Sequence, residues 1–524
     1  MRMINLPEPK LRFGYDQSLT HPKDGLSVFG PYQPATGQIR IGLIGTRTGI
    51  EIFKKWSKTI NTSLPAYKGS KFRTSQTAEF GKLAHQSFPG FHAAFGTTWE
   101  LPAAIEAEIA DNALESALKV HERHTRIART VKLYTKKLVK LNYASEKKPD
   151  IWFVIVSKEL SDLCRPASDP PEEYSIGTRA EDAFSPSLFV DSDDADSFSD
   201  EYQEALRFKP DFHNQIKARL LKHQIITQVL NEETMAACMR PPEDPARDKQ
   251  DPATLTWNLA TQIFYKTRRK PWILSDPREG VSYMGVVFKR LNTLEGQKNA
   301  CCGAQMFLED GSGMVFKGAL GPWYSEETRE CHLDEVEAYD LLERAIKSYA
   351  EDHGEHPPKE VFIHGSVFVD DKEWAGYSSC AKKYGINVVG VRIRRVLGGL
   401  RLYGPGKSPI LRGTALIVSD RKAFLWTAGF VPRLNTYPGW NVPNPLMIDI
   451  CNGDADIEVV LNDILRLSKL NYNSCSFADS SPITLKFASK VGDILTTLPP
   501  HMRDEEDAND DGQESKALPF WHYI

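Results

Sequence analysis

Four residues in this chain have types and spacing that could act together on one ligand. His213 and Lys217 are four apart, Gln228 follows eleven positions later, and Lys266 closes a later amphipathic stretch. On a helix, positions four apart share a face. A terminal phosphate needs converging donors: ammonium groups, a neutral amide or imidazole, often a helix N-terminus. These four side chains are of that kind. An ordinary solvated helix carrying a His/Lys pair fits the same residues, so the types alone leave both readings open.

The elements that must position them read as α/β. Residues 39–44 (IRIGLI) form a short, mostly apolar run, and 50–60 have helical spacing. A long helical region is expected over 103–142. Residues 151–156 (IWFVIV) form a continuous apolar run, the pattern of a buried parallel strand. Helical spacing returns at 212–222, followed by a strand at 225–230. Strands alternating with helices predict a Rossmann-like layered domain.

The second half has a different order. Residues 281–290, 300–308 and 314–319 read as three successive strands, separated by turn signals such as Asp310-Gly311-Ser312-Gly313. A helix over 333–351, a strand over 360–364, another helix and a strand over 386–393 complete the order of an RNase H-like fold. The expected division is 1–274 for the first unit with its N-terminal segment, and 275–524 for the second.

The bulk numbers bound the rest. The chain has 524 residues and a formal net charge of -4, which neither demands nor excludes nucleic acid, since a local basic groove can sit on an acidic protein. The eight cysteines form no C-x-x-C pair and read as reduced, mostly buried thiols of a cytoplasmic protein. No run of 18 or more apolar residues suggests a membrane span. Residues 191–201 and 503–516 are acidic and read as solvated loops. Arg123, Arg126, Arg129, Lys132, Lys136, Lys137 and Lys140 form a basic series on a helical region; Arg392, Arg394 and Arg395 close a strand, with Arg401 and Lys407 following. A solvated face and a contact with a nucleic-acid backbone both fit such series.

The spacing of His213, Lys217, Gln228 and Lys266 resembles the 5′-phosphate pocket of Argonaute MID domains. Gln262 stands where many relatives place another lysine, which implies that one phosphate contact is weaker or supplied differently. Gly30-Pro31-Tyr32, Phe88-Pro89-Gly90-Phe91, residues 152–158, Gly321-Pro322-Trp323-Tyr324, Phe424-Leu425-Trp426-Thr427 and Leu470-Asn471-Tyr472-Asn473 are similar to segments of short prokaryotic Argonautes. The resemblance covers essentially the whole chain. It implies a Rossmann-like MID domain and an RNase H-like PIWI domain, with no room for separate N and PAZ domains ahead of them. It also implies a role for the end of the chain: the carboxylate of Ile524 would join a magnesium ion bridging the guide phosphate.

The same resemblance implies that the protein does not cut. Two-metal hydrolysis needs several carboxylates to hold and neutralise the ions. At the matching positions stand Val287 in a Gly-Val-Val run, Gly365 after His364, and Ser489 on the last helix. Asp370, Asp371 and Glu373 lie near the second position but read as a helix start. A nuclease with carboxylates relocated there is the rival enzyme reading, and a scaffold binding only a partner protein is the rival interaction reading. The expected partners are a guide RNA, a complementary single-stranded DNA target, and an APAZ-containing effector as heterodimer, with higher oligomers on activation. A TIR effector that degrades NAD is favoured over a sirtuin-like or nuclease one. No NAD site is expected in this chain.

Overall fold

The computed structural model describes residues 1–66, 86–165, 209–240, 251–293, 296–307, 313–316, 320–321, 330–396, 400–403, 408–435, 437, 442–497 and 518–523, with backbone only between 290 and 329. The acidic stretches at 191–201 and 503–516, Pro322 to Tyr324, Lys407 and Ile524 lie outside the described residues.

Strand β1 (Arg2–Asn5) opens the chain. The first layered unit then contains β2 (Ile41–Gly45), α1 (Arg47–Ile60), β3 (Ile105–Glu108), α2 (Arg123–Ala144), β4 (Ile151–Val156), α3 (Phe212–Leu221), β5 (Thr227–Asn231) and α4 (Pro252–Lys266). Its sheet runs β3-β2-β4-β5, all parallel, with β4 buried along its whole length. That is why β4 is apolar at every position: helices cover both faces. The long helix expected over 103–142 is interrupted. Ile105-Glu106-Ala107-Glu108 forms the edge strand, a short helix spans Asp111–Leu118, and α2 begins only at Arg123. The two-residue alternation of Ile and Ala with glutamates is the strand signal, submerged in a helix-rich composition.

The second unit is built from β6 (Val281–Thr293), β7 (Gly296–Phe307), β8 (Gly313–Phe316), α5 (Glu335–Asp352), β9 (Glu360–Gly365), α6 (Asp371–Tyr384), β10 (Asn387–Arg395), β11 (Thr414–Ser419), β12 (Lys422–Leu425), β13 (Leu446–Asn452), α7 (Ile457–Leu467) and α8 (Ile483–Leu495). Strands β6, β7 and β8 form an antiparallel meander; β9 pairs parallel with β6, and β10 parallel with β9. This is the RNase H-like order. Strand β1 crosses the expected division at 274/275, pairing antiparallel with β11 so that Arg2–Asn5 run along the second sheet.

The two units share one hydrophobic core. Trp257, Tyr265 and Trp272 of the first unit pack in the same cluster as Leu470, Tyr472, Phe487 and Phe520 of the second. Tyr265 stacks on Tyr472 at 4.4 Å, and Tyr472 donates its hydroxyl to the Trp272 carbonyl at 2.8 Å. Asn258 accepts from the Cys475 amide at 2.9 Å. Burying this much aromatic surface fixes the units against each other, so side chains from both can build one site.

Candidate anion-binding site

Asp211 caps α3 by accepting from the Asn214 amide, which starts the helix at Phe212 and turns His213 and Lys217 to one face. Gln228 lies near the start of β5 and Lys266 in the last turn of α4, and the two meet: Lys266 Nζ donates to Gln228 Oε1 at 2.7 Å and to the Thr227 carbonyl at 2.8 Å. Lys217, Gln228 and Lys266 are buried, with Lys266 only 1% exposed, and His213 is half-buried. The electrostatics join His213, Lys217 and Lys266 into one cluster, and the Lys266 hydrogen bond adds Gln228. Burial lowers the pKa of Lys217, with the charges of Lys266 and Lys490 adding to it; burial and Lys490 do the same to Lys266. Burial, then Lys217, Lys490 and Lys266, hold the His213 imidazole well below its usual range.

Lys490 is the member that sequence reasoning missed. It stands on α8 of the second unit, half-buried, its own pKa lowered by burial and by Lys486. Only the packing of α8 against α3 brings it here. Gln262 donates to the Asn473 carbonyl at 2.5 Å and is used to join the units. The further ammonium comes from the other unit.

Among the described residues, none of Lys217, Lys266 and Lys490 is within salt-bridge distance of a carboxylate. The nearby acids are engaged elsewhere: Asp211 accepts from Asn214, and Asp493 pairs with Lys289 at 2.9 Å. Among the described residues, three desolvated lysines, with an imidazole and an amide, converge with no carboxylate within ion-pair distance, and Asp211 acts on Lys217 only from further off. Such a cluster costs free energy until an anion enters.

The tail segment reaches the same place. Leu518–Pro519 adds two residues to the edge of the second sheet beside β8. Phe520 then stacks on Phe487 at 3.9 Å, and the Tyr523 carbonyl accepts from Lys217 Nζ at 3.3 Å. The expected role of Ile524, one residue further, lies outside the described residues. His522 is buried, its imidazole pulled down to about 4 by burial and by Arg268. Arg268, two residues past Lys266, opens a neighbouring cleft of about 340 Å³ that also takes in Arg40, Lys148 and His223.

The three positions matched to a cutting centre lie on elements that pack together. Val287 is on β6 and Gly365 ends β9, the adjacent parallel strand; Ser489 is on α8, which lies against β6. Ser489 Oγ accepts from Lys289 Nζ at 2.9 Å, and the same ammonium pairs with Asp493. His364 is buried and shares a hydrogen bond with the Thr484 hydroxyl at 3.0 Å, its pKa pushed down to about 3 by burial. Asp370 is the N-cap of α6, accepting from the Glu373 amide at 2.8 Å, as the helix-start reading requires.

Two of the basic positions are not surface groups. Arg126 is fully buried and donates to the Val120 and His121 carbonyls. Arg392 is buried against Asp449 at 2.8 Å and over the Phe368 ring. Arg394 and Arg395 are exposed, with Arg395 donating to Ser480 and Ser481. Five more of the α2 series line a groove: Arg129, Lys132, Lys136, Lys137 and Lys140 face the helix Asp111–Leu118, while Arg123 donates to the Arg165 carbonyl. Among the described residues, no helix is long and apolar enough to cross a membrane.

The fold so described is the MID–PIWI fold of Argonaute proteins, a Rossmann-like MID domain followed by an RNase H-like PIWI domain. Among solved structures it is similar to Clostridium butyricum Argonaute bound to a guide DNA and a 19-mer target DNA, with a TM-score of 0.60, 15% identity, and 95% of this chain and 53% of that one covered. It is similar as well to A. aeolicus Argonaute (TM-score 0.52, 13% identity, 99% and 55% covered) and to Drosophila Piwi (0.56, 10%, 99% and 56%). The chain spans about half the length of these structures. No protein-family model and no curated protein matches the sequence.

Proposed function

We propose that this chain holds the 5′-phosphate of a short guide strand and uses the guide to recognise a complementary single strand. The observation that carries the reading is the cluster of His213, Lys217, Gln228, Lys266 and Lys490, three of whose members are lysines that, among the described residues, have no carboxylate within ion-pair distance. A phosphate supplies the missing charge and enough acceptor oxygens for the convergent donors. The Argonaute-like fold makes a nucleic-acid strand its natural bearer, and the solved neighbour with guide and target DNA supports that reading. A magnesium ion beside the phosphate belongs to the proposal: it would let a carboxylate share the pocket with an anion, and the Tyr523 carbonyl at Lys217 brings the tail to that point.

The finer reading follows the sequence resemblance. The guide is RNA, the target single-stranded DNA, and sequence is read by base pairing, as in other guided systems. The PIWI domain does not cut. The positions that would need metal-binding carboxylates carry Val287, Gly365 and Ser489, and the nearby Asp493 is matched to Lys289. The output then belongs to an APAZ-containing partner, with a TIR domain degrading NAD in prokaryotic defence.

The decisive measurement compares 5′-phosphorylated and 5′-hydroxyl oligonucleotides of one sequence. Two charge-assisted contacts at about 1.5–3 kcal/mol each mean that Lys217→Ala/Lys266→Ala should lose at least about a hundredfold in affinity for the phosphorylated strand and little for the hydroxyl one. Equal loss for both would sink the assigned pocket. Incubation with guide, target and magnesium or manganese should leave the target intact; cleavage abolished by Asp370→Asn/Asp371→Asn would establish the nuclease instead. For the effector, the complex copurified with its partner should consume NAD only when guide and target are both added.

A further inference from the structure

We propose that His332, Asp370 and Glu373 bind one zinc ion between the start of α5 and the start of α6. His332 lies two residues before Asp334, the N-cap of α5; Asp370 is the N-cap of α6 and Glu373 sits in its first turn. The two helices are in close contact, since a Cβ on Gly376 of α6 would meet the Glu335 carbonyl of α5 at 2.1 Å. That packing draws an imidazole nitrogen and two carboxylate oxygens to within 4.8 Å of one another.

His332 and Glu373 form an ion pair whose separation also suits two ligands of one ion. His332 Nδ1 stands 3.6 Å from Glu373 Oε2, too far for a hydrogen bond. Two ligands bound at about 2.0–2.1 Å to a tetrahedral zinc stand about 3.3–3.4 Å apart, close to the observed separation. The Nδ1 atom is buried and faces the Glu373 carboxylate, which raises the imidazole pKa. Glu373 is only 3% exposed and lies beside a second carboxylate, a costly placement that a divalent cation relieves.

The other ring nitrogen, His332 Nε2, faces Glu330 Oε2 at 3.8 Å. At that distance the carboxylate is beyond a hydrogen bond and acts on the ring by charge attraction alone. The remaining ligands are held as well. Tyr377 donates to Glu373 Oε1 at 3.3 Å, and one Asp370 oxygen accepts from the Glu373 amide. Imidazole with two carboxylates suits zinc and leaves one position for water.

This site is separate from the lost cutting positions. Met284 and Val286 of β6 pack in the cluster with α5 and α6, while Gly285 meets Thr484 and Lys289 meets Ser489, both on α8. The trio therefore lies on the α5/α6 side of the sheet.

The test uses the full chain, stripped with a chelator and titrated with zinc, followed by calorimetry, elemental analysis and melting temperature. The wild type should bind one equivalent and recover its melting temperature on reloading. His332→Ala and Glu373→Gln should lose the high-affinity site and its thermal response. Should the first two not fold, Asp370→Asn, which retains the capping oxygen, should show the same loss. Absence of stoichiometric zinc in the wild type, or equal affinity in the variants, would overturn the proposal. A melting temperature that follows His332 protonation but ignores zinc would show a plain His–Glu ion pair and overturn it equally.

Discussion

Replacing Lys490 with glutamine should stabilise the ligand-free protein and, at the same time, weaken its hold on a 5′-phosphorylated strand. Lys490 forms no hydrogen bond among the described residues, and its charge lowers the pKa of Lys217, Lys266 and His213 together. Removing it leaves no buried group unpaired. What is lost is its attraction to Asp493, which already has Lys289 as a partner. At an effective dielectric near 20, two like charges about 8 Å apart repel by about 2 kcal/mol. The lost attraction to Asp493 offsets part of that repulsion, so a net gain of about 1–2 kcal/mol is expected. A gain of that size raises the melting temperature of a chain this long by about 1–2 °C. The same change removes one charge-assisted contact to phosphate, about 1.5–3 kcal/mol, or about 10- to 150-fold in affinity. Differential scanning fluorimetry without ligand and anisotropy with matched 5′-phosphate and 5′-hydroxyl strands measure both sides. A variant that melts lower, or loses equally for both strands, would refute the idea of a cluster strained until an anion arrives.

Other perturbations test neighbouring parts of the same reasoning. Lys217, Lys266 and Lys490 are held below the ordinary lysine value, whereas unfolded lysines keep their protons to about pH 10.4. Between those limits the unfolded chain binds more protons, so the stability of the ligand-free protein should rise with pH there. Phosphate restores the lysine protons, so preference for the phosphorylated strand should shrink as pH climbs through that window; a pH-independent preference would count against buried lysines as the donors. Glu8 bridges two buried cations, Arg412 at 3.0 Å and Lys469 at 2.9 Å. Glu8→Gln should therefore cost about 3–5 kcal/mol in chemical denaturation, and a loss under about 1 kcal/mol would contradict that placement. A Cβ on Gly285 would sit 2.4 Å from the Thr484 carbonyl. Gly285→Ala should push α8 off β6 at a cost of about 1–3 kcal/mol, while weakening phosphate binding because Lys490 rides on α8.

Much of the architecture was legible because the local signals agreed with the global fold. The apolar run of β4, the meander of β6 to β8, and the cap at Asp370 each carry their own periodicity or turn chemistry. The edge strand Ile105–Glu108 was not legible, since four residues of alternation are too few to outweigh helix-forming neighbours. Nor was the pairing of β1 with β11, which joins residues about 400 apart and so leaves no local trace.

The candidate site divides along the same physical line. The sequence named four of its members only through the resemblance, since helical spacing sets His213 and Lys217 on one face but leaves a solvated helix equally open. It also determined that Val287, Gly365 and Ser489 offer no carboxylate. Tertiary structure alone decided that Gln262 joins the two units and that Lys490 completes the cluster from the other unit. It also decided that Arg126 and Arg392 turn inward. A side chain's type is fixed by the chain. Its electrostatic role depends on which charges packing brings near and how much water packing removes, and both are properties of the folded whole.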